Sequence, residues 1–340
     1  MLLSVAELVL SLAAILGAAI VFTNAVEILG KRLQLGGGAV GSVLAAAGTA
    51  LPETMIPLIA ILTSILTGSS GTNQISIGAI IGAPFLLATL GMFVVGASAL
   101  GFRRHRESGA EISINEDVTR RDISYFLPIL FVIGVAGFVP LPLWAKVGLA
   151  LLLVGTYSYY VWKTVTREGG EEDDSPSDLL LWPESRRGQA PTWAVLTQVV
   201  ATIAVMAVGA HYFVGAVEQI SHSLGIPAGL IALILAPLAT ELPEKFNSVY
   251  WLRDNKDPIA VGNVTGAMVF QSMVPVSLGL VFTPWDFDFR LGLAVALALV
   301  SGAALFVMLR SPKPVLGHYL LYGGILYIGF VAVAVYTAIA

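Results

Sequence analysis

Ten stretches of about twenty mostly apolar residues, divided by short polar turns, leave this chain few ways to fold. They run near 5–29, 40–66, 75–100, 123–140, 142–163, 193–220, 228–252, 258–282, 289–309 and 316–339. A bilayer core about 30 Å thick takes roughly 20 residues of helix. Inside it every backbone N–H and C=O must find a partner within the protein, and a helix supplies those partners from its own segment. The composition agrees, with 56% of residues hydrophobic and 12% charged, where an ordinary soluble domain carries roughly a quarter charged. So little charge excludes disorder, a coiled coil and a nucleic-acid-binding surface. It is also too little to cover a soluble globule. There is no cysteine, hence no disulfide framework and no thiolate chemistry. The first stretch has neither a basic leader nor a small-residue cleavage site and reads as a retained helix. The expected fold class is an all-α integral membrane protein with ten transmembrane helices.

Basic residues set the expected orientation. Fifteen of the eighteen Lys and Arg residues fall on one side, among them Lys31, Arg32, Arg103, Arg104, Arg120, Arg121, Arg253 and Arg310. Only Lys146 and Arg290 fall opposite, and Lys245 lies within a span. The positive-inside rule makes the crowded side cytoplasmic and leaves both termini outside. The one long polar linker, residues 164–192, contains Glu168, Glu171, Glu172, Asp173 and Asp174. It reads as a solvated cytoplasmic loop, with a regulatory calcium site of loop carboxylates as the minor reading. It divides the chain into a first five-helix unit (1–163) and a second (193–340).

Those two units repeat one another. A shift of 191 residues lays Phe22 on Phe213, Ala25-Val26-Glu27 on Ala216-Val217-Glu218, and Leu33 on Leu224. Without a gap it also matches Gly38 with Gly229, Leu44-Ala45 with Leu235-Ala236, Thr49 with Thr240, and Leu51-Pro52-Glu53 with Leu242-Pro243-Glu244. A shift of 184 then pairs Gly78 with Gly262 and Gly82 with Gly266. Five spans is an odd number, so the second copy enters the membrane upside down. Inverted repeats with Gly/Pro-interrupted helices in matching positions are the signature of secondary transporters, whose site lies at the repeat interface near the midplane.

An ionisable group in the bilayer costs at least about 2.5–3.5 kcal/mol, so it is functional by default. Glu53 and Glu244 sit near the middle of equivalent spans and are expected to meet across the pseudo-two-fold axis. Each follows a proline, which removes a helix hydrogen bond and frees a carbonyl oxygen. Helical spacing puts Thr240, Glu241, Glu244, Asn247 and Ser248 on one face of the second copy. The first copy offers only Thr49 and Glu53, because Ala50 replaces Glu241 and Ile56 replaces Asn247. The candidate cation ligands are therefore Glu53, Glu244, Thr49, Thr240, Glu241 and Asn247. Carboxylates, hydroxyls and freed carbonyls suit a hard cation such as calcium or sodium, or a proton. The bland alternative is that these groups only hold helices together. Glu27 with Lys31 and Glu218 with His222 read as i,i+4 surface pairs, and His211 and Asn24 as interhelical hydrogen bonders. Lys245 points about 100° away from Glu244.

The segment Gly48-Thr49-Ala50-Leu51-Pro52-Glu53 resembles the G-T-S-L-P-E core of the sodium/calcium exchanger family, within the cation/calcium antiporter superfamily. The stretch from Val208 to Glu244 is similar to that family's second repeat. The glycines of Ile77-Gly78-Ala79-Ile80-Ile81-Gly82 and Val261-Gly262-Asn263-Val264-Thr265-Gly266 extend the resemblance over both halves. It implies two inverted five-helix repeats, with the first and sixth helices sliding past a core bundle. There are departures. Where the family has serine and then asparagine or aspartate in the third and eighth helices, this chain has Ala83 and Leu87, and Ala267 and Gln271. The serine of the core segment is Ala50 in one copy and Glu241 in the other. Such losses weaken the case for several bound sodium ions and leave a divalent-cation or proton-coupled cycle.

The expected activity is alternating-access antiport of calcium, or another divalent cation, against sodium or protons that neutralise the same carboxylates. The alternatives are a proton- or monovalent-cation-coupled transporter of a different substrate, an intramembrane enzyme, or a channel. No H-E-x-x-H segment and no aspartate pair in adjacent helices supports the enzyme. The expected partners are small cations and the lipid bilayer. No cofactor and no nucleic acid are expected, and the cell membrane is the expected location.

Overall fold

The computed structural model describes residues 1–32, 39–167, 179–182, 190–311 and 313–339. Ten long helices lie among them: α1 (Leu2–Arg32), α2 (Ala39–Thr67), α3 (Ser70–Gly101), α4 (Glu116–Ala136), α5 (Leu143–Arg167), α6 (Thr192–Leu224), α7 (Ala228–Arg253), α8 (Asp257–Phe282), α9 (Phe289–Met308) and α10 (Tyr322–Ile339). Six of these, α1, α3, α6, α8, α9 and α10, contain described stretches long and apolar enough to cross a membrane unaided. The other four qualify through their company, packed side by side with the six.

Local chemistry sets the ends. The Asn115 side chain accepts a hydrogen bond from the Val118 N–H at 3.3 Å, and Glu116 and Asp117 occupy the first turn of α4. That capped polar turn is why α4 begins at Glu116 rather than near residue 123. Asp288 caps α9 through the Leu291 N–H at 2.9 Å. Gly225, at φ 68°, ends α6 in the left-handed conformation that glycine adopts most easily. The last span starts later than its hydropathy suggests. Val315–Leu316 pairs antiparallel with Glu111–Ile112, and Gly317–Leu321 forms a 3-10 turn before α10.

Contacts between turns sort them onto two ends. At the basic end the short β pairing joins the α3–α4 turn to the α9–α10 turn. Arg106 fastens the same region. Its guanidinium donates to the carbonyls of Gly109 (2.8 Å) and Glu111 (2.9 Å), to Ser108 Oγ (3.1 Å), and to Asp257 Oδ2 at the start of α8. Ser113 N–H reaches the same Asp257 oxygen at 2.9 Å. At the far end Lys146 donates to the Pro284 carbonyl at 2.5 Å, and Phe287 N–H to Gly137 O at 2.8 Å. Deeper on the basic side, Asp122 of α4 is 1% exposed and accepts from Tyr160 of α5 (2.8 Å) and Thr265 of α8 (2.7 Å). One carboxylate thus fixes the rotation of three helices.

Lipid tails are as apolar as leucine, so close packing of small residues must hold such helices together. Between α3 and α7 the backbones touch. A Cβ on Gly78 would lie 2.1 Å from Gly229 O, and one on Gly82 would lie 2.2 Å from Leu233 O. Pro237, four residues after Leu233, has no N–H to bond that carbonyl within the helix, which leaves it directed at Gly82. The counterparts on α8, Gly262 and Gly266, have no described atom within 4 Å of a Cβ. Within α3 a π-turn at Leu87–Gly91 follows Pro84, and Ser301 of α9 donates to the Ala88 carbonyl there.

Three substitutions test this packing and the Arg106 anchor. Gly78→Val must push a backbone aside and should lower stability in thermal unfolding by about 1–3 kcal/mol or more. Gly155→Ala, which has open space around it, should leave the midpoint unchanged or raise it. Arg106→Met strands a buried carboxylate at Asp257 and should cost about 3–5 kcal/mol in the same measurement.

Candidate cation site

Three side chains from three helices converge at mid-length. Glu53 lies midway along α2 (Ala39–Thr67), Glu241 midway along α7 (Ala228–Arg253), and Gln271 just past the middle of α8 (Asp257–Phe282). At about 1.5 Å of rise per residue each is about 20 Å from its helix start, which is the depth of the bilayer interior. The Gln271 carboxamide nitrogen donates to Glu53 Oε2 and, at 3.1 Å, to Glu241 Oε1. Glu241 is 0% exposed and Gln271 1%, while Glu53 is partly exposed. One amide nitrogen thus joins a carboxylate of the first repeat to a carboxylate of the second.

The electrostatics follow from that geometry. Two oxygens that share one donor nitrogen are no more than about 6 Å apart, two hydrogen-bond lengths. At that separation two carboxylate charges repel by roughly 3 kcal/mol with an effective dielectric constant of about 20. The amide supplies two charge-assisted hydrogen bonds but no charge. A proton or a cation between the carboxylates relieves what the amide leaves. A glutamine can also turn its carboxamide over, replacing the N–H donors with an acceptor oxygen. Glu53, Glu241 and Gln271 could then present three oxygens to a hard cation.

The other expected ligands are placed as follows. Thr240 is buried and its hydroxyl donates to the Ala236 carbonyl at 3.1 Å within α7. Asn247 is exposed, nearly two turns closer to the basic end, while the next residue, Ser248, is buried with its hydroxyl 3.5 Å from Ala260 O of α8. Thr49 lies on α2 and Glu244 on α7, but both side chains lie outside the described residues, as do those of Glu27, Lys31 and Lys245. The acidic run from Glu168 to Asp174 also lies outside them. Among the described residues two carboxylates, Glu53 and Glu241, meet here. Gln271 stands out in the sequence only as a change from the family pattern. Its register opposite Leu87, at a shift of 184, is the signal that marks the position.

One expected pairing comes out differently and another as expected. Glu218 accepts a hydrogen bond from Ser69 Oγ at 2.8 Å, joining α6 to the start of α3 instead of pairing along its own helix with His222. Asn24 does bond between helices, accepting from Gln198 Nε2 of α6 at 3.2 Å, and it also takes the Leu180 N–H of the linker at 2.9 Å. His211 is exposed beside Tyr212.

The family model described as sodium/calcium exchanger protein matches residues 3–165 and 194–340. The chain belongs to the sodium/calcium exchanger family. The inner membrane protein YrbG of Escherichia coli strain K12 is 26% identical over 332 residues, 95% of each chain. The crystal structure of the H+/Ca2+ exchanger CAX superposes with a TM-score of 0.67 at 16% identity, over 98% of this chain and 88% of that one. A structure of the sodium-calcium exchanger NCX_Mj superposes with a TM-score of 0.57 at 20% identity, over 97% and 98% of the two chains. At those identities the solved structures establish the fold, ten transmembrane helices in two inverted repeats.

The contribution of Gln271 is measurable without transport. Gln271→Met keeps the length of the side chain and removes its N–H groups. It should destabilise the cation-free protein by about 1–3 kcal/mol in thermal unfolding, the cost of losing the hydrogen bonds its amide donates to the two carboxylates. Gln271→Glu adds a like charge and should destabilise it further.

Proposed function

We propose that the chain is a secondary active antiporter that moves calcium, or another divalent cation, against protons or sodium by alternating access. The observation that carries this reading is the Gln271 carboxamide held between Glu53 of one repeat and Glu241 of the inverted other. Family membership and the exchanger fold support the same class. In this reading calcium displaces the amide N–H groups and binds Glu53 and Glu241, with Glu244, Thr49 and Thr240 completing the set and Gln271 turned to offer its oxygen. On the return step protons or sodium ions neutralise the same carboxylates. Shared ligands make the two loads mutually exclusive, and an empty, doubly charged site crosses poorly because bare carboxylates are costly in the bilayer. Exchange follows from that penalty.

Protons are the favoured counter-ion. Ala83, Leu87 and Ala267 stand where sodium-binding relatives are expected to carry oxygen ligands, so fewer groups are left to hold several monovalent ions. A proton needs only the carboxylates. The basic end faces the cytoplasm in this proposal, with both termini outside and the linker of residues 164–192 inside, in the cell membrane. The second reading is proton- or monovalent-coupled transport of another substrate, favoured by the same altered positions.

The test is radiolabelled calcium uptake into proteoliposomes under an outward sodium gradient, an outward proton gradient, or neither. Uptake should follow the proton gradient. It should fall at least about tenfold in Glu53→Gln and in Glu241→Gln, since losing a charged ligand costs more than the roughly 1.4 kcal/mol that tenfold represents. Wild-type rates in Glu53→Gln would refute the assignment of the site. No uptake under either gradient would refute calcium as the substrate.

A further inference from the structure

Glu7 is the one charged residue in the apolar stretch Leu2–Val26 of α1, and nothing in the proposed transport site uses it. Of its neighbours on the same helix face, Leu3 at i−4 and Leu10 at i+3 are 85% and 69% exposed, whereas Ser4 at i−3 and Ser11 at i+4 are buried against α6. Glu7, half-buried, sits at the edge where the exposed leucine side of α1 meets its packed side. Among the described residues no hydrogen bond or ion pair engages the Glu7 carboxylate. A carboxylate on a lipid-facing surface is expensive unless something neutralises it.

The same side chain lines a groove of about 700 Å³ between α1 and α6, with Leu3, Ala6, Leu10, Ala204 and Tyr212. That volume lies in the range of ligand-binding clefts, about 300–1,000 Å³. Small residues on both helices make the room. Its floor is set where the helices come closest, at Gly209, whose Cβ would lie 2.8 Å from Ile15 Cγ1. It is apolar along its length, with the carboxylate near the helix start, where α1 begins to enter the membrane.

We propose that this groove binds a phospholipid with a primary ammonium headgroup, phosphatidylethanolamine, one acyl chain lying between α1 and α6 and the ammonium on Glu7. Charge complementarity selects the headgroup. An ammonium offers both a positive charge and N–H donors to the carboxylate. A choline headgroup offers the charge without the donors, and a glycerol headgroup leaves a net anion beside an anion. The exposed leucines beside the carboxylate select a lipid over a water-soluble ammonium, because an acyl chain covers them and a small soluble cation does not.

The experiment exposes the purified full-length protein in detergent to equal amounts of phosphatidylethanolamine, phosphatidylcholine and phosphatidylglycerol with matched chains. Retained lipid is then read by native mass spectrometry. The wild type should retain phosphatidylethanolamine about fivefold over either of the others, the ratio a single exposed ion pair supplies. Glu7→Gln should bring that ratio to about one, and Ala204→Trp, which fills the groove and leaves Glu7 in place, should lower retention of all three lipids. Glu7→Lys should turn the preference toward phosphatidylglycerol, so that one variant failing to fold leaves the others to decide. Equal retention by the wild type, or an undiminished preference for phosphatidylethanolamine in Glu7→Gln or Ala204→Trp, would overturn the proposal.

Discussion

An ionised carboxylate has no comfortable place in a bilayer, and two of them near one another have less. Glu53 and Glu241 are nevertheless brought to the same depth, one from each half of the chain, and the neutral amide of Gln271 donates to both. Much of the remaining architecture holds that arrangement in register. The depth comes from α2, α7 and α8 each running about 20 Å before its polar residue. The rotation of α8 is fixed on its basic side by Asp122 through Thr265, and its start is held by Arg106 through Asp257. Polar anchors therefore sit in the first third of α8, and the charged chemistry sits in its middle.

The two halves are copies with unequal contents. Where α8 carries Gln271, α3 carries Leu87, fully buried in a π-turn whose Ala88 carbonyl is taken up by Ser301. Where α7 carries Glu241, α2 carries Ala50. The second repeat therefore contributes more polar side chains at this level, and the first repeat contributes apolar packing in the same register. A π-turn often marks a functional site, and in α3 it occupies the register that Gln271 holds in α8.

The helices are legible in the sequence because a hydropathy run of twenty residues has few alternatives in a chain so poor in charge. The repeat is legible because identities such as Leu51-Pro52-Glu53 with Leu242-Pro243-Glu244 survive a single fixed shift. The start of α4 is less so, since a polar turn capped by Asn115 has no apolar signal and is helical all the same. Along its own helix Glu218 has His222 as the natural neighbour, but Ser69 comes from a turn distant in sequence and close in space. Gln271 is hardest to weigh. A neutral amide in an apolar helix carries neither charge nor periodicity, and its importance shows only when α2 and α7 are placed on either side of it.

The glycine crossing of α3 and α7 has a bearing on motion. Glycine inside a helix costs about 1 kcal/mol relative to alanine, a cost offset where two backbones must touch, as Gly78 and Gly82 do at the far end. Gly262 and Gly266 give α8 the same bare surface at the basic end, and no described atom fills it. In the proposed alternating-access cycle each inverted copy thus brings its own pair of small residues, Gly78 and Gly82 at one mouth and Gly262 and Gly266 at the other, on which a close helix crossing is sterically permitted.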